Sequence, residues 1–228
     1  MKLDWEKQVK EYEMVWDRRY QTPDITESWV ENDWVKGRTQ YLTFLIKEID
    51  NTIIKRIKEI QTEISQFSCV EPFPKEYFHI SIKGAGFIVP TKTEADEITE
   101  NEIPRIISEA RTRLKEYPPF EMRLENLNNF VSAIVVQAHD GGVARHIHEN
   151  FNEIPGFLKS SYFPGYLPHL SIAQYKTNNE YTEFIKHLEQ NRKAIVGQIK
   201  VNKIQLIIAH LSARERYPKM ETIEEFEL

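Results

Sequence analysis

The 228-residue chain reads as an α+β protein: a duplicated β-α-β-α-β unit forming two lobes about a pseudo-twofold with a central cleft, preceded by a helical extension. Three observations predict this. The stretch Tyr77-Phe78-His79-Ile80-Ser81-Ile82-Lys83 returns as Leu167-Pro168-His169-Leu170-Ser171-Ile172-Ala173. The 90-position shift that superimposes these also lays Phe44 on Ile134, Ile46 on Val136, Asp50 on Asp140, Ile57 on Ile147, Ile64 on Ile154, Phe67 on Phe157 and Pro74 on Pro164. Between these marks both halves run through an apolar stretch, a helical stripe and then the histidine strand, so no gap is needed.

Residues 1–38 precede the repeat, and residues 39–228 hold it, with lobes of roughly 39–128 and 129–228 that could exchange strands. Trp5, Val9, Tyr12, Trp16 and Tyr20 recur at helical spacing and predict one buried helix face. A second short helix is expected after them, with Thr22 as N-cap, Pro23 in the first turn, Trp29 and Trp34 inward and Gly37 as the stop. This extension is expected to pack as an extra layer on the first lobe.

The first lobe opens with an apolar strand over 40–48. Asp50 or Asn51 then caps a helix with Ile53, Ile57, Ile60, Ile64 and Phe67 on one face. Pro72 and Pro74 mark a loop before the first histidine strand, which Gly84 and Gly86 are expected to end. A helix from Ile103 to Tyr117 stops at Pro118-Pro119, and Phe120, Met122 and Leu124 alternate with charged residues as a strand with one wet face. The second lobe repeats the order: a strand over 131–138, a helix bearing Val143, Ile147 and Phe151, the second histidine strand, a helix from Tyr181 and a strand through Ile204, Leu206 and Ile208. The acidic tail after Tyr217 either adds an edge strand or stays loose.

Composition bounds the function. With 40% hydrophobic and 29% charged residues the chain can bury a core, and disorder is not expected. No stretch approaches the roughly 20 apolar residues of a membrane span, nor does the start resemble a signal segment, so a soluble, cytoplasmic, monomeric protein is expected. A net charge of −5 speaks against a broad grip on long nucleic acid, but not against a nucleotide or an RNA end. The single cysteine, Cys69, allows no internal disulfide and no cysteine-based zinc site.

Because side chains alternate along a strand, His79 shares a face with Ser81, and His169 with Ser171, while Ile80, Ile82, Leu170 and Ile172 point into the core. Two such strands meeting at a cleft would face one ligand with two imidazoles. Histidine titrates near pH 6.5, so one ring can accept a proton while the other donates one, as cleavage of a phosphate ester requires. Ser81 and Ser171 would hydrogen-bond its non-bridging oxygens.

In these residues the chain resembles the two-histidine phosphoesterase superfamily, which includes RNA 2′,3′-cyclic phosphodiesterases and 2′-5′ RNA ligase-like proteins. Its signature, two copies of His, apolar, Ser or Thr, apolar, is matched by His79-Ile80-Ser81-Ile82 and His169-Leu170-Ser171-Ile172. The resemblance runs from about Thr39 to Leu211. It implies a bilobal α+β fold, metal-independent catalysis without a cofactor, and cyclic or 2′-linked nucleotide or RNA-end phosphodiesters as substrates. Members often carry Thr where this chain has Ser, which keeps the hydrogen bond but loses the stiffness of a β-branched residue. Residues 1–38 have no counterpart in the minimal pattern.

Further candidates follow from position. Lys83 and Gln174, just past the motifs, are expected at phosphate or ribose, and Tyr77, Phe163 and Tyr166 could stack on a base. A third copy, His210-Leu211-Ser212-Ala213, has no partner under the shift and is read as a coincidence of a strand end. His146 and His148 diverge by about 200° on a helix, so a metal site built with His139 is not expected. The near symmetry of the motifs leaves open which histidine is acid and which base. A binding module that uses the same cleft without turnover is the alternative.

Overall fold

The computed structural model describes residues 3–25, 34–159, 162–212 and 215–228. Most of the second predicted helix, Trp29 included, lies outside them; Trp34 to Gly37 form a turn that Gly37 closes at φ +76°.

Helices α1 (Trp5–Trp16), α2 (Asn51–Ile64), α3 (Ile103–Leu114), α4 (Val143–Phe151) and α5 (Tyr181–Asn191) surround one sheet. Its main strands are β1 (Gln40–Ile46), β3 (Ile80–Ile88), β5 (Phe120–Phe130), β6 (Ala133–His139), β7 (His169–Tyr175), β8 (Ile195–Val201), β9 (Lys203–His210) and β10 (Lys219–Glu227). Two short strands, β2 (Val70–Pro72) and β4 (Glu97–Ile98), pair with β7 and β3. The order is β10-β9-β1-β3-β7-β6-β5-β8, antiparallel along this path. Equivalent strands of the repeat are met from either end: β9 beside β1 beside β3 on one side, β5 beside β6 beside β7 on the other. The last strand of each sequence repeat thus pairs with the first strand of the other. At the centre, β3 and β7 join through the single pair Ile80 and Leu170.

One sheet face carries the core. Ile53, Ile57, Ile60 and Ile64 of α2 are buried with Phe44, Ile80, Ile134, Leu170, Phe151 and Phe184, one continuous cluster spanning both lobes. Asp50 caps α2 by accepting from the backbone N–H of Thr52 and Ile53 at 2.7 and 2.9 Å. The first histidine strand does not end at its glycines. It continues to Ile88, because Gly84 leaves room for the Tyr41 hydroxyl and Gly86 (φ +145°) lies against the Asp96 carbonyl, two approaches that a Cβ would obstruct.

The extension divides between the lobes: Trp34 and Val35 pack on the first, as expected, against Tyr41, Phe87 and Leu211, whereas α1 packs on the second. Gln8 donates to the Asp140 carboxylate at 2.9 Å and accepts from the backbone N–H of Asp140 and Gly141, while Asn128 donates to the Tyr12 carbonyl at 3.0 Å. The Tyr12 hydroxyl lies against the carbonyls of Ala138 and Pro168. Salt bridges from Arg19 to Glu189 (2.6 Å) and Arg192 to Glu13 (2.5 Å) tie it to the α5 region. The reason is chemical. The first lobe lines its face of the cleft with Leu45, Ile207 and Ala209, whereas the second lobe carries Asn128 and Asn129 on its equivalent, buried amides that find acceptors in the Tyr12 and Arg19 carbonyls of the extension. For the same reason Gln8 and Glu11 are buried in α1, while the apolar Trp5 and Val9 of the expected inner face are exposed.

Tyr12→Phe removes the hydroxyl without changing shape and leaves buried carbonyls short of a donor. Urea unfolding should show a loss of about 1–3 kcal/mol; an unchanged midpoint would mean that the hydroxyl does not pin α1.

Candidate functional site

The Ile80–Leu170 pair sets the site. Both side chains are fully buried on the core face, so the flanking residues emerge on the other. In an antiparallel pair one step back on a strand faces one step forward on its partner, which sets His79 toward Ser171 and Ser81 toward His169. Each half thus offers one imidazole and one hydroxyl at the sheet centre. Neither serine hydroxyl has a protein hydrogen-bond partner among the described residues.

The two rings are held alike. The His79 Nδ1–H donates to the Tyr77 carbonyl at 2.6 Å, and the His169 Nδ1–H to the Leu167 carbonyl at 2.8 Å. A carbonyl can only accept, so the proton sits on Nδ1 and Nε2 is left as the reactive nitrogen in both. Burial, with help from the charges of His169 and Lys47, outweighs the Tyr77 carbonyl and pushes the His79 pKa down to about 4. Burial likewise lowers His169, against the Leu167 carbonyl. Burial thus favours the neutral form of both rings.

A cleft of about 260 Å³ opens here, lined by His79, Ser81, Ser171 and Gln174 and walled by Tyr41 and Tyr77. His169 stands at its edge, its ring 4.6 Å from that of Phe130. Tyr77 lies edge-on to His79 at 5.1 Å and packs with Phe73 and Tyr217. Gln174 donates to Glu71, which Arg216 also pairs.

Three other residues named from sequence lie elsewhere. Register shifts after Phe44 in β1 and after Ile134 in β6 break the alternation just past each serine. Lys83 therefore turns to the core side, where its ammonium donates to Asn152 (2.6 Å) and the Leu158 carbonyl (2.5 Å), and it does not reach the cleft. Tyr166 is not free to stack on a base: its ring lies on His148 at 4.4 Å and its hydroxyl donates to the Ser81 carbonyl at 2.6 Å. Phe163 is exposed, but beside a second pocket on the flank of His169.

His210 faces away and meets Glu221 at 2.7 Å. His146, His148 and His139 bond separately to Tyr117, the Ile82 carbonyl and Gln137, and no metal-holding group occurs among the described residues. Cys69 is buried, its thiol pushed up to about 11 by desolvation.

Sequence reasoning missed one pair. Gln137 is the cross-strand partner of His169, and Lys47, next after the Ile46–Ile80 pair, occupies the same place beside His79. The 90-position shift superimposes them, one step past Ile46 on Val136. They differ in charge, so a nearly symmetric site has a cation on one side and, on the other, a buried amide whose nitrogen lacks a partner among the described residues.

A family model described as the 2′-5′ RNA ligase superfamily matches residues 48–212. Among solved structures the chain is similar to TT0787 of Thermus thermophilus, at 17% identity over 82% of this chain and 97% of that one, with a TM-score of 0.59. It is similar also to LigT of E. coli complexed with 3′-AMP, at 11% identity, 84% and 98% coverage and a TM-score of 0.59. A protein described as a phosphoesterase matches at 11% identity, 83% and 98% coverage and a TM-score of 0.56. At such identities the likeness is one of fold. No curated protein matches the chain in sequence.

With folded pKa values below the unfolded value near 6.5, the unfolded chain binds more protons than the folded one at mildly acid pH. Stability should be full above pH 6.5 and fall as the pH drops toward 4. Thermal unfolding across that window measures it, and a flat profile would show that the two rings are not held neutral.

Proposed function

The chain belongs to the 2′-5′ RNA ligase superfamily, and on that footing we propose that it is a metal-independent phosphodiesterase acting on 2′,3′-cyclic or 2′-5′-linked nucleotide and RNA-end phosphates. The observation that carries the reading is the pair of imidazoles on either side of one β-pair, each beside a serine hydroxyl, with Nε2 and hydroxyl both without a partner among the described residues. The nucleotides held by the LigT structures, 3′-AMP and NADP+, support ligands of this class.

In the proposed reaction the phosphoryl group lies between the histidines. His79 acts as base: Lys47 and His169 both oppose its protonation, so its Nε2 is free to take a proton from the attacking water. As the new P–O bond forms, the bond to the leaving ribose oxygen breaks, and His169, protonated as the anion binds, gives its Nε2 proton to that oxygen. The Ser81 and Ser171 hydroxyls donate to the non-bridging oxygens, where charge accumulates. The two side chains supply both proton transfers, so the mechanism calls on no metal. The aromatic walls of the cleft receive the base. Run in reverse, with a ribose hydroxyl as nucleophile, the same groups would join RNA ends.

His79→Ala and His169→Ala should each lower kcat/KM on a 2′,3′-cyclic nucleotide by about 10²- to 10⁴-fold. Full activity in both variants would end the reading, and saturable nucleotide binding without product would favour a binding module. On a diester that leaves as p-nitrophenolate, which needs no protonation, the loss should shrink for His169→Ala and persist for His79→Ala; the opposite pattern would reverse the assignment. Turnover needs one ring neutral and one protonated, and both pKa values are lowered. The pH profile of kcat/KM should therefore be a bell centred on the acid side of 6.5, and a maximum in the alkaline range would contradict it.

A further inference from the structure

Past His169 lies a second pocket of about 150 Å³, completed by the N-terminal extension. Val15 and Arg18 form one wall, Phe130 and Val131 the floor, and Phe163 the outer side. It adjoins the candidate site through Phe130, whose ring contacts that of His169. The repeat shows what it corresponds to. Phe130 pairs with Ala133 as Ile207 pairs with Thr43, and Ile207 and Thr43 line the main cleft. The pocket is thus what remains of the second lobe's half of the groove once α1 has covered its polar part.

The Arg18 guanidinium carbon stands over the Phe163 ring, 3.4 Å from its centroid, and the group pairs with no carboxylate among the described residues. Phe163 is 49% exposed. An uncompensated planar cation with one face on an aromatic ring offers the other face to a nucleobase and its N–H edge to a phosphate. The pocket has room for about five waters, which a flat ring system would displace.

We infer that this pocket receives the second nucleoside of a substrate that carries a nucleoside on each side of the scissile phosphate, which rests on the phosphodiesterase reading above. Attack by the vicinal ribose 3′-hydroxyl, its proton passing to His79, forms a 2′,3′-cyclic phosphate as the bond to the 5′-oxygen breaks and His169 protonates that oxygen. The attacking and leaving riboses therefore lie on opposite sides of phosphorus, the first toward the cleft lined by His79 and the second toward the pocket beside His169. The aromatic cleft of the first lobe takes one nucleoside. The Arg18–Phe163 stack takes the other, and α1, by narrowing this half, limits it to about one residue. A cyclic mononucleotide leaves the pocket to water.

The test compares a 2′-5′-linked diadenosine with 2′,3′-cyclic AMP on the full chain. In Arg18→Ala and Phe163→Ala the ratio of kcat/KM for the dinucleotide to that for the cyclic nucleotide should fall by about 5- to 150-fold, the range for loss of one base-stacking partner, chiefly through a higher KM. An unchanged ratio in both variants would overturn the inference and leave the stack as a clamp between loop and helix. If wild-type protein turns over neither compound, the phosphodiesterase reading fails. The same ratio is then read from affinities of diadenosine and 3′-AMP by titration calorimetry: a fall in the variants upholds the subsite, and no change removes it.

Discussion

The structure turns on one pair of residues. Ile80 and Leu170 join the two halves of the sheet at a single point, and both are locked into the core with no exposure. Because strands alternate, fixing these two on the inner face forces His79, Ser81, His169 and Ser171 outward together, and antiparallel register sets each imidazole toward the other copy's hydroxyl. A one-residue slip of either strand would bury a histidine and expose an isoleucine or leucine. The site's geometry is therefore secured by the hydrophobic effect acting on its neighbours, and the polar groups need few bonds of their own. Each ring uses one nitrogen to hold its tautomer and keeps the other for chemistry.

Duplication would give two equal halves, and the protein departs from that in two places. Lys47 and Gln137 differ beside the two histidines, so the charge of Lys47 acts on His79 while an amide stands beside His169. The open faces differ as well. The first lobe's is apolar and aromatic and lines the cleft, with Trp34 against Tyr41 and Phe87, while the second's carries Asn128, Asn129, Gln137 and His139 and is covered by α1 through Gln8 and Tyr12. Burying those groups without partners would cost roughly 1–3 kcal/mol each, so cover and polarity belong to one arrangement. What results is a groove wide on one side of the histidines and narrow on the other.

Much of this was legible in the sequence, where it rested on periodicity. The 90-position repeat identified the histidine strands, the order of elements and the residues that emerge beside Ile80 and Leu170. The failures came where long-range pairing overrides the local pattern. A register shift after each serine, set by the neighbouring strand, sent Lys83 into the core side, and strict alternation carries no sign of it. β8 was missed because Ile195 is 77% exposed and a register shift against β5 spaces the buried Val196, Ile199 and Val201 unevenly, so the strand shows no clean alternation. The helical stripe in α1 located the helix and the buried Tyr12 and Trp16, but missed Gln8 and Glu11 and the lobe it covers, since its partner surface is polar. Tyr166 was read as a free aromatic because the ring it stacks on, His148, lies in a different element.

The central claim is that both imidazoles address one phosphoryl group. Nitrogen-15 NMR of the histidine side chains during titration with inorganic phosphate tests it most directly. The account predicts that His79 and His169 both begin as Nδ1–H tautomers and that their Nε2 resonances shift along a single saturation curve with one phosphate bound. A response from only one ring, or two separate curves, would contradict it.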